Sequence, residues 1–213
     1  LSRMIPSSVT IGFDRYSSRE SLAGIFYNKR FNIGYEKNVI ERNFELIKFA
    51  LALPIDKKEI ENKRPFFPIN SEYINPSISK IKKNVILIPG ASHSSKMYPL
   101  EKFAELTHLM DANYLVIWGN SQEKKIAESI KYLSPNVNVS KKLSLSELIL
   151  LISKFDLIIG SDTGPTHFAW ALNIPSITLF GSTPGYRNTF QTAINKVIES
   201  HSSVNPKNIN TGV

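Results

Sequence analysis

Four short runs of mainly aliphatic residues, separated by helix-like stretches, constrain the fold of this chain more than any other feature. The runs lie at residues 85–88, 114–118, 157–159 and 176–180. Runs of this kind are typical of strands that are buried on both faces of a parallel sheet. The alternation predicts an open, doubly wound α/β domain, in which ligands bind beyond the carboxyl ends of the strands.

Helix signals separate these runs. Pro99 can open the first predicted helix, and Ser121 is the predicted N-cap of the second. Ser144 and Glu147 have the spacing of a capping box at the start of the third. Strand and helix therefore alternate throughout the second part of the chain.

The first part of the chain has a different pattern. Residues 9–13 resemble a short strand, and residues 37–53 carry apolar positions at helical spacing. Proline, charged and small polar residues then dominate up to residue 79, which is typical of a connection. We therefore expect part of a first α/β domain at residues 1–54, a linker at residues 55–79 and the doubly wound domain at residues 80–213.

Composition narrows the classes of function. The absence of cysteine excludes disulfides, thiolate metal sites and a cysteine nucleophile. A net charge of +8 favours anionic partners, which include nucleic acid, phosphorylated small molecules and an acidic membrane face. No stacking motif or helix-turn-helix pattern supports nucleic acid, and no apolar run is long enough to span a bilayer.

The loop that follows the third run has the character of a phosphate site. Gly164 lets a ligand approach the backbone, and Pro165 suits the first turn of a helix, whose free N–H groups and positive dipole end attract anions. Asp162, Thr163 and His167 add polar groups. Taken singly, Asp162 also fits a turn-stabilising role and His167 a satisfied histidine on a partly buried helix.

Two further loops follow neighbouring strands of the predicted sheet. Ser92 and Lys96 can hold an oxyanion after the first run, although a polar turn with a solvated lysine is the alternative. Glu123, after the second run, can accept hydrogen bonds from ribose hydroxyls or complement the dipole of its own helix. The chain lacks a GxGxxG motif, a Walker loop, an Asp-x-Asp pair and metal-ligand spacing of its histidines. We therefore expect neither a metal nor a cofactor.

The three loops together resemble the C-terminal half of the ADP-heptose:lipopolysaccharide heptosyltransferases, a family of GT-B glycosyltransferases. The resemblance rests on residues 90–99, 118–123 and 162–167, with residues 180–183 following. Upstream, residues 18–28 resemble a segment of the members that add the first heptose.

This resemblance implies a GT-B fold with a Rossmann-like donor domain and the remainder of an N-terminal acceptor domain. It implies inverting, metal-independent transfer of heptose from ADP-heptose to Kdo of lipid A, on the cytoplasmic face of the inner membrane. Carried onto this sequence, Ser92 and Lys96 would hold phosphates, Glu123 the adenosine ribose, Asp162, Thr163, Gly164 and His167 the diphosphate and heptose, and Arg19 the acidic acceptor.

The sequence also departs from the family. Its members carry the general base, an aspartate, in a glycine-rich loop near the start of the N-terminal domain, and nothing before Val9 provides such a loop. Asp14 lies in a different context, and Ala91 lacks a hydroxyl that the family's loop can carry. We therefore expect an N-terminally truncated enzyme, and a non-catalytic nucleotide-sugar binding module is the alternative.

Overall fold

The computed structural model describes residues 6–19, 21–67 and 78–200. The first unit is a small parallel sheet of β1 (Ile11–Phe13) and β2 (Lys29–Phe31), joined through a 3-10 helix at Ser21–Phe26. It is followed by α1 (Val39–Leu51) and α2 (Lys58–Glu61). The predicted strand and amphipathic helix are both present, whereas β2 was missed.

The second unit is a six-stranded sheet in which every neighbouring pair of strands is parallel. Its elements are β3 (Lys83–Ile88), α3 (Leu100–Leu106), β4 (Ala112–Val116), α4 (Ser121–Leu133), β5 (Val137–Val139), α5 (Leu145–Ile152), β6 (Leu157–Ser161), α6 (Gly164–Ala171), β7 (Ser176–Phe180), α7 (Gly185–Asn188) and β8 (Asn195–Glu199). A 3-10 helix at Ser94–Lys96 lies between β3 and α3.

The strand order of this sheet is β5-β4-β3-β6-β7-β8. The chain runs outward from β3 to β5, returns to the centre at β6 and then runs outward in the other direction. A doubly wound sheet has its switch point where the order reverses, and the loops on either side of that point open a crevice for ligands. Here the crevice lies between the loops that follow β3 and β6.

The core consists of two layers, one on each face of the sheet. Ile86 and Ile88 of β3 pack in the layer that contains α5 and α6. Val85 and Leu87 pack in the layer that contains α3 and α4. Since alternate residues of one strand enter opposite layers, both faces are buried, and the predicted doubly wound architecture is confirmed.

The starts of α5 and α4 allow the predicted helix caps to be compared with the observed ones. Ser144 and Glu147 form the predicted capping box. The N-cap of α4 is Asn120 rather than Ser121, because the Asn120 Oδ1 accepts hydrogen bonds from the N–H groups of Gln122 and Glu123. The predicted cap was therefore wrong by one residue.

The predicted linker is partly ordered against the second unit. Phe67 packs edge-on against Phe168 of α6, with ring centroids 5.1 Å apart, and Phe66 packs against Trp170 of the same helix at 6.0 Å. Residues 68–77 of this linker lie outside the described residues, as do residues 1–5, residue 20 and the polar C-terminal stretch 201–213. Among the described residues, no helix has the length and apolar character to cross a membrane.

Ile86 tests the two-layer core. Its side chain is fully buried at the centre of the sheet, so Ile86→Ala is expected to lower the free energy of unfolding by about 2–5 kcal/mol. The matched control is Ile81→Ala, which removes the same atoms from a side chain that is 96% exposed. This control is expected to change the free energy of unfolding by less than about 0.5 kcal/mol. Urea denaturation measures both, and equal losses would contradict this core.

Candidate functional site

The Asp162 carboxylate is the point at which three loops of the sheet meet. It directly follows β6, and only 7% of its side chain is exposed. Its Oδ2 accepts hydrogen bonds from the Lys96 Nζ at 2.9 Å and from the Thr183 Oγ1 at 2.9 Å. Its Oδ1 lies 3.1 Å from the His167 Nε2. The loops after β3 and β7 and the first turn of α6 are therefore all joined to this carboxylate.

These contacts fix the charge of Asp162. Burial by itself raises the pKa of a carboxyl group, because it removes water from the charged form. Hydrogen bonds from His167, Lys96 and Thr183, with the positive charge of Lys96, outweigh burial and hold the pKa of Asp162 well below its ordinary value. Asp162 is therefore an ionised acceptor across the physiological pH range.

The first turn of α6 faces open space. Thr163 is the N-cap residue, but no side-chain hydrogen bond caps this helix within the part of the chain that the structure describes. A Cβ at Gly164 would meet no atom within 4 Å. Pro165 occupies the first turn, as predicted. The uncapped helix start and the open approach at Gly164 are what an anion requires.

A cavity of about 540 Å³ lies between the two units, along the side of α6 that carries His167. Its polar wall consists of Lys96, Asp162 and His167, and α1 contributes Val39 and Ile40 from the opposite side. The remaining lining is largely aromatic, with Phe66, Phe67, Phe168, Ala171, Trp170, Asn188, Thr189 and Phe190. The cleft therefore combines a charged floor at the sheet with an apolar wall.

A larger cavity of about 610 Å³ lies on the other side of Trp170. It is lined by Lys63, Asn173 and Ile194, which lie near the amino ends of the outer strands and the end of α6. Ligands of doubly wound domains bind at the carboxyl ends of the strands. The smaller cavity is therefore the better candidate for the site.

The structure brings some of the predicted site residues together and leaves others apart. Lys96, Asp162 and His167 are joined by hydrogen bonds, with Thr163 and Gly164 beside them. Ser92 is exposed on the loop after β3. Arg19 is exposed on the loop after β1 and does not line the cavity of about 540 Å³. The binding roles of all these residues stay predictions.

Glu123 stabilises the start of α4. Its Oε2 accepts a hydrogen bond from the Gly119 N–H at 2.7 Å, and its Oε1 accepts one from the Asn120 Nδ2 at 2.9 Å. The carboxyl group also packs against Gly90, where a Cβ would lie 2.5 Å from the Glu123 Cδ. Glu123 thus lies in the first turn of α4, where its charge complements the helix dipole as the sequence left open, and the ribose role stays a prediction.

Two threonines complete the site and were not among the predicted residues. Thr183 is buried and donates to Asp162 from the loop after β7. Thr189 is also buried, and its Oγ1 lies 3.5 Å from the His167 Nδ1. Thr183 belongs to the stretch 180–183 that carries part of the family resemblance, whereas Thr189 shows no local sequence signal and reaches the site only through the path of its loop.

Within residues 6–19, 21–67 and 78–200, no group of three or more His, Asp or Glu side chains is placed to hold a metal ion.

Two α/β units that face each other across a charged cleft, with the cleft at the switch point of a doubly wound domain, define the GT-B fold class. The profile of glycosyltransferase family 9 (heptosyltransferase) matches residues 1–209. The chain belongs to this family, as the resemblance of its loops predicted.

The curated relatives named as heptosyltransferases are longer than this chain. Lipopolysaccharide heptosyltransferase 1 of Campylobacter coli is 40% identical over 210 residues, which are 92% of this chain and 61% of that protein. Lipopolysaccharide heptosyltransferase 1 of Escherichia coli K12 is 28% identical over 182 residues, which are 82% of this chain and 54% of the relative. The chain thus spans less than two thirds of the length of these relatives.

Solved structures show the same fold. The E. coli heptosyltransferase WaaC with ADP has a TM-score of 0.72 and 21% identity, over 95% of this chain and 62% of that chain. E. coli ADP-heptose heptosyltransferase II has a TM-score of 0.60 and 19% identity, over 88% of this chain and 60% of that chain. These similarities confirm the predicted fold class.

Asp162 makes the stability of the protein depend on pH. Since its pKa in the folded state is below the ordinary value of 3.8, ionised Asp162 stabilises the fold above that value. This contribution is lost as the pH falls through the folded-state pKa. Asp162→Asn is expected to lower the free energy of unfolding at neutral pH by about 1.5–3 kcal/mol, because Lys96 and His167 lose a charged acceptor.

The pH dependence of that deficit is the measurement. Denaturant unfolding of wild type and Asp162→Asn is compared from neutral pH downward, and the deficit should shrink as the pH falls from about 5 to about 2. Asp111→Asn is the control, because Asp111 is 79% exposed and should matter little at any pH. A deficit for Asp162→Asn that stays constant over this range would contradict the charge assigned to Asp162.

Proposed function

We propose that the doubly wound unit binds the nucleotide-sugar donor ADP-heptose at the cavity of about 540 Å³, with ADP as the product. We further propose that the protein transfers the heptose to Kdo of lipid A during lipopolysaccharide core synthesis. The observation that carries the proposal is the Lys96–Asp162–His167 cluster at the uncapped start of α6, on the switch point of the sheet. The heptosyltransferase names of the relatives support the choice of donor.

The cluster has the chemistry that a diphosphate needs. One N–H of the Lys96 ammonium donates to Asp162, which leaves two donors of the group for phosphate oxygens. The positive end of the α6 dipole and the open approach at Gly164 add the Gly164 N–H as a backbone donor, whereas the N–H groups of Thr166 and His167 already donate to the Thr163 carbonyl oxygen. Asp162 thus holds Lys96 in place to bind one phosphate, and the start of α6 binds the other.

The same groups can stabilise the leaving group. Transfer breaks the bond between the anomeric carbon of the heptose and the terminal phosphate oxygen, and negative charge develops on ADP. Fixed positive groups that face this charge lower the barrier without reorganisation. Lys96 and the start of α6 therefore act as the electrostatic stabilisers in an inverting, metal-independent transfer.

Asp162 is unsuited to be the general base of this reaction. Its low pKa makes it a weak proton acceptor, and both carboxylate oxygens already accept hydrogen bonds. We place the base that activates the acceptor hydroxyl on the acceptor side of the cleft. Arg19 is proposed to face the acidic acceptor, whose lipid part would place the protein on the cytoplasmic face of the inner membrane. The net charge of +8 favours binding to the acidic surface of a membrane.

Lys96→Ala tests donor binding. Loss of a charged hydrogen-bond donor to phosphate is expected to weaken ADP binding by about 10- to 100-fold. Lys102→Ala is the matched control, because Lys102 pairs with Glu105 on an exposed helix surface and should leave the affinity unchanged. Calorimetric titration with ADP and ADP-heptose measures both. A wild-type chain that binds neither ligand would contradict the proposed site.

Transfer itself is measured by incubating the protein with both substrates. Incubation with ADP-heptose and Kdo-lipid A is expected to yield an acceptor that carries one additional heptose, which mass spectrometry detects. In that protein, Lys96→Ala should lower the rate more than Lys102→Ala, because Lys96 faces the leaving group. Binding of ADP-heptose without any transfer would instead support a non-catalytic nucleotide-sugar binding module.

A further inference from the structure

Asn38 connects the two sides of the cleft with both ends of its side-chain amide. Its Oδ1 accepts a hydrogen bond from the Ile40 N–H at 2.9 Å and thereby caps α1. Its Nδ2 donates to the carbonyl oxygens of Tyr186 and Thr189, at 3.0 Å each. One amide group thus holds the start of a helix in the first unit and a loop of the second unit.

A second contact keeps the same two segments together. The Arg187 Nε donates to the Tyr35 carbonyl oxygen at 2.8 Å, and the guanidinium carbon lies 4.2 Å from the centre of the Tyr35 ring. Tyr35 is buried. The position of Asn38 relative to the loop around α7 is therefore fixed by neighbouring contacts as well as by its own.

The loop that Asn38 holds leads directly to the proposed donor site. Thr189 accepts from Asn38 through its carbonyl oxygen, and its hydroxyl lies 3.5 Å from the His167 Nδ1. An ionised carboxylate only accepts hydrogen bonds, so the His167 Nε2 must carry the proton that points at Asp162. In the neutral imidazole the Nδ1 is then an acceptor, and the Thr189 hydroxyl is its donor.

A continuous chain of contacts therefore runs from α1 to the lysine that faces the phosphates. Asn38 holds Thr189, Thr189 orients His167, and His167 and Lys96 share the Asp162 carboxylate. Position and ring orientation of His167 thus depend on a residue from the other side of the cleft.

We propose that Asn38 is a positioning residue that couples the acceptor side of the cleft to the donor-phosphate site through Thr189 and His167. Its effect on donor affinity rests on the proposed function of that site. When the two sides of the cleft lie together, the Asn38 amide fixes the position of Thr189 and, through it, the orientation of His167. The Asp162 carboxylate then holds Lys96 in the orientation that binds phosphate.

The chemistry of the amide allows the two roles of Asn38 to be separated. Capping requires an acceptor, which Asp supplies as well as Asn. Holding the Tyr186 and Thr189 carbonyls requires donors, which a carboxylate lacks. Asn38→Asp therefore keeps the helix cap, removes both contacts to the loop and places a negative charge beside two carbonyl oxygens.

The first measurement follows the imidazole resonances of His167 in the ligand-free protein by NMR, with His167→Gln to assign them. Asn38→Asp is expected to shift them, because Thr189 moves away from the ring. Ser144→Ala is the control for stability alone, since it removes the N-cap of α5 without touching the cleft. We expect no shift of the His167 resonances in Ser144→Ala.

The second measurement is ADP affinity by calorimetry. Asn38→Asp is expected to weaken ADP binding by about three- to tenfold, as two neutral hydrogen bonds are lost, and Ser144→Ala should not change it. Thr189→Val is a second variant that keeps the carbonyl for Asn38 and removes only the hydroxyl. In the double variant the two effects should be less than multiplicative, because both act on His167.

The outcomes separate this proposal from the proposed function. Unchanged His167 resonances in Asn38→Asp would overturn the coupling, whether or not the protein binds ADP. Shifted resonances with an unchanged ADP affinity, or independent effects in the double variant, would overturn it as well. If wild type fails to bind ADP, the proposed function fails, and the histidine spectra still decide whether Asn38 acts on His167.

Discussion

The buried ion pair between Lys96 and Asp162 is the interaction on which the site depends. Both side chains are largely removed from water, with 17% and 7% exposed, and the loops that carry them follow the two central strands. A buried ion pair adds little stability compared with a well-packed apolar contact, because desolvation offsets the attraction between the charges. Its place at the switch point therefore favours a binding role over a structural one.

Helix α6 is held at both of its ends by charged groups. At its start, His167 contacts Asp162, which fixes the first turn relative to Lys96. At its end, the Lys63 Nζ donates to the carbonyl oxygens of Trp170 and Ala171 and also contacts Asn173. A cation at the carboxyl end of a helix complements its dipole. The connection that carries Lys63 thus anchors the same helix whose start is proposed to receive the diphosphate.

The sequence predicts the centre of the fold better than its edges. The strands β3, β4, β6 and β7 are recognisable because each contains a short run of mainly apolar residues. The strands β5 and β8 lie at the edges of the sheet and mix polar with apolar residues, so they give no such signal. The parallel-strand rule likewise predicts that the loops after β3 and β6 meet.

The partners of the site residues could not be predicted in the same way. The contact between Asp162 and Lys96 spans 66 residues, and that between Asn38 and Thr189 spans 151. Such pairs depend on the path of each loop, and a single Thr or Asn in a loop is equally compatible with a solvent-exposed position. For Glu123 the sequence indicated a ribose contact or a dipole-complementing position, and only the structure shows that its carboxylate accepts hydrogen bonds from Gly119 and Asn120 before α4.

Backbone NMR of the chain titrated with ADP tests the donor site at α6 most directly. We expect the largest amide shifts at Gly164, at His167 and in the loop that ends at Lys96, because the phosphates approach these groups. Residues around the larger cavity, such as Lys63 and Asn195, should change little. Shifts concentrated around that larger cavity, with Gly164 and Lys96 unaffected, would contradict a donor site at the start of α6.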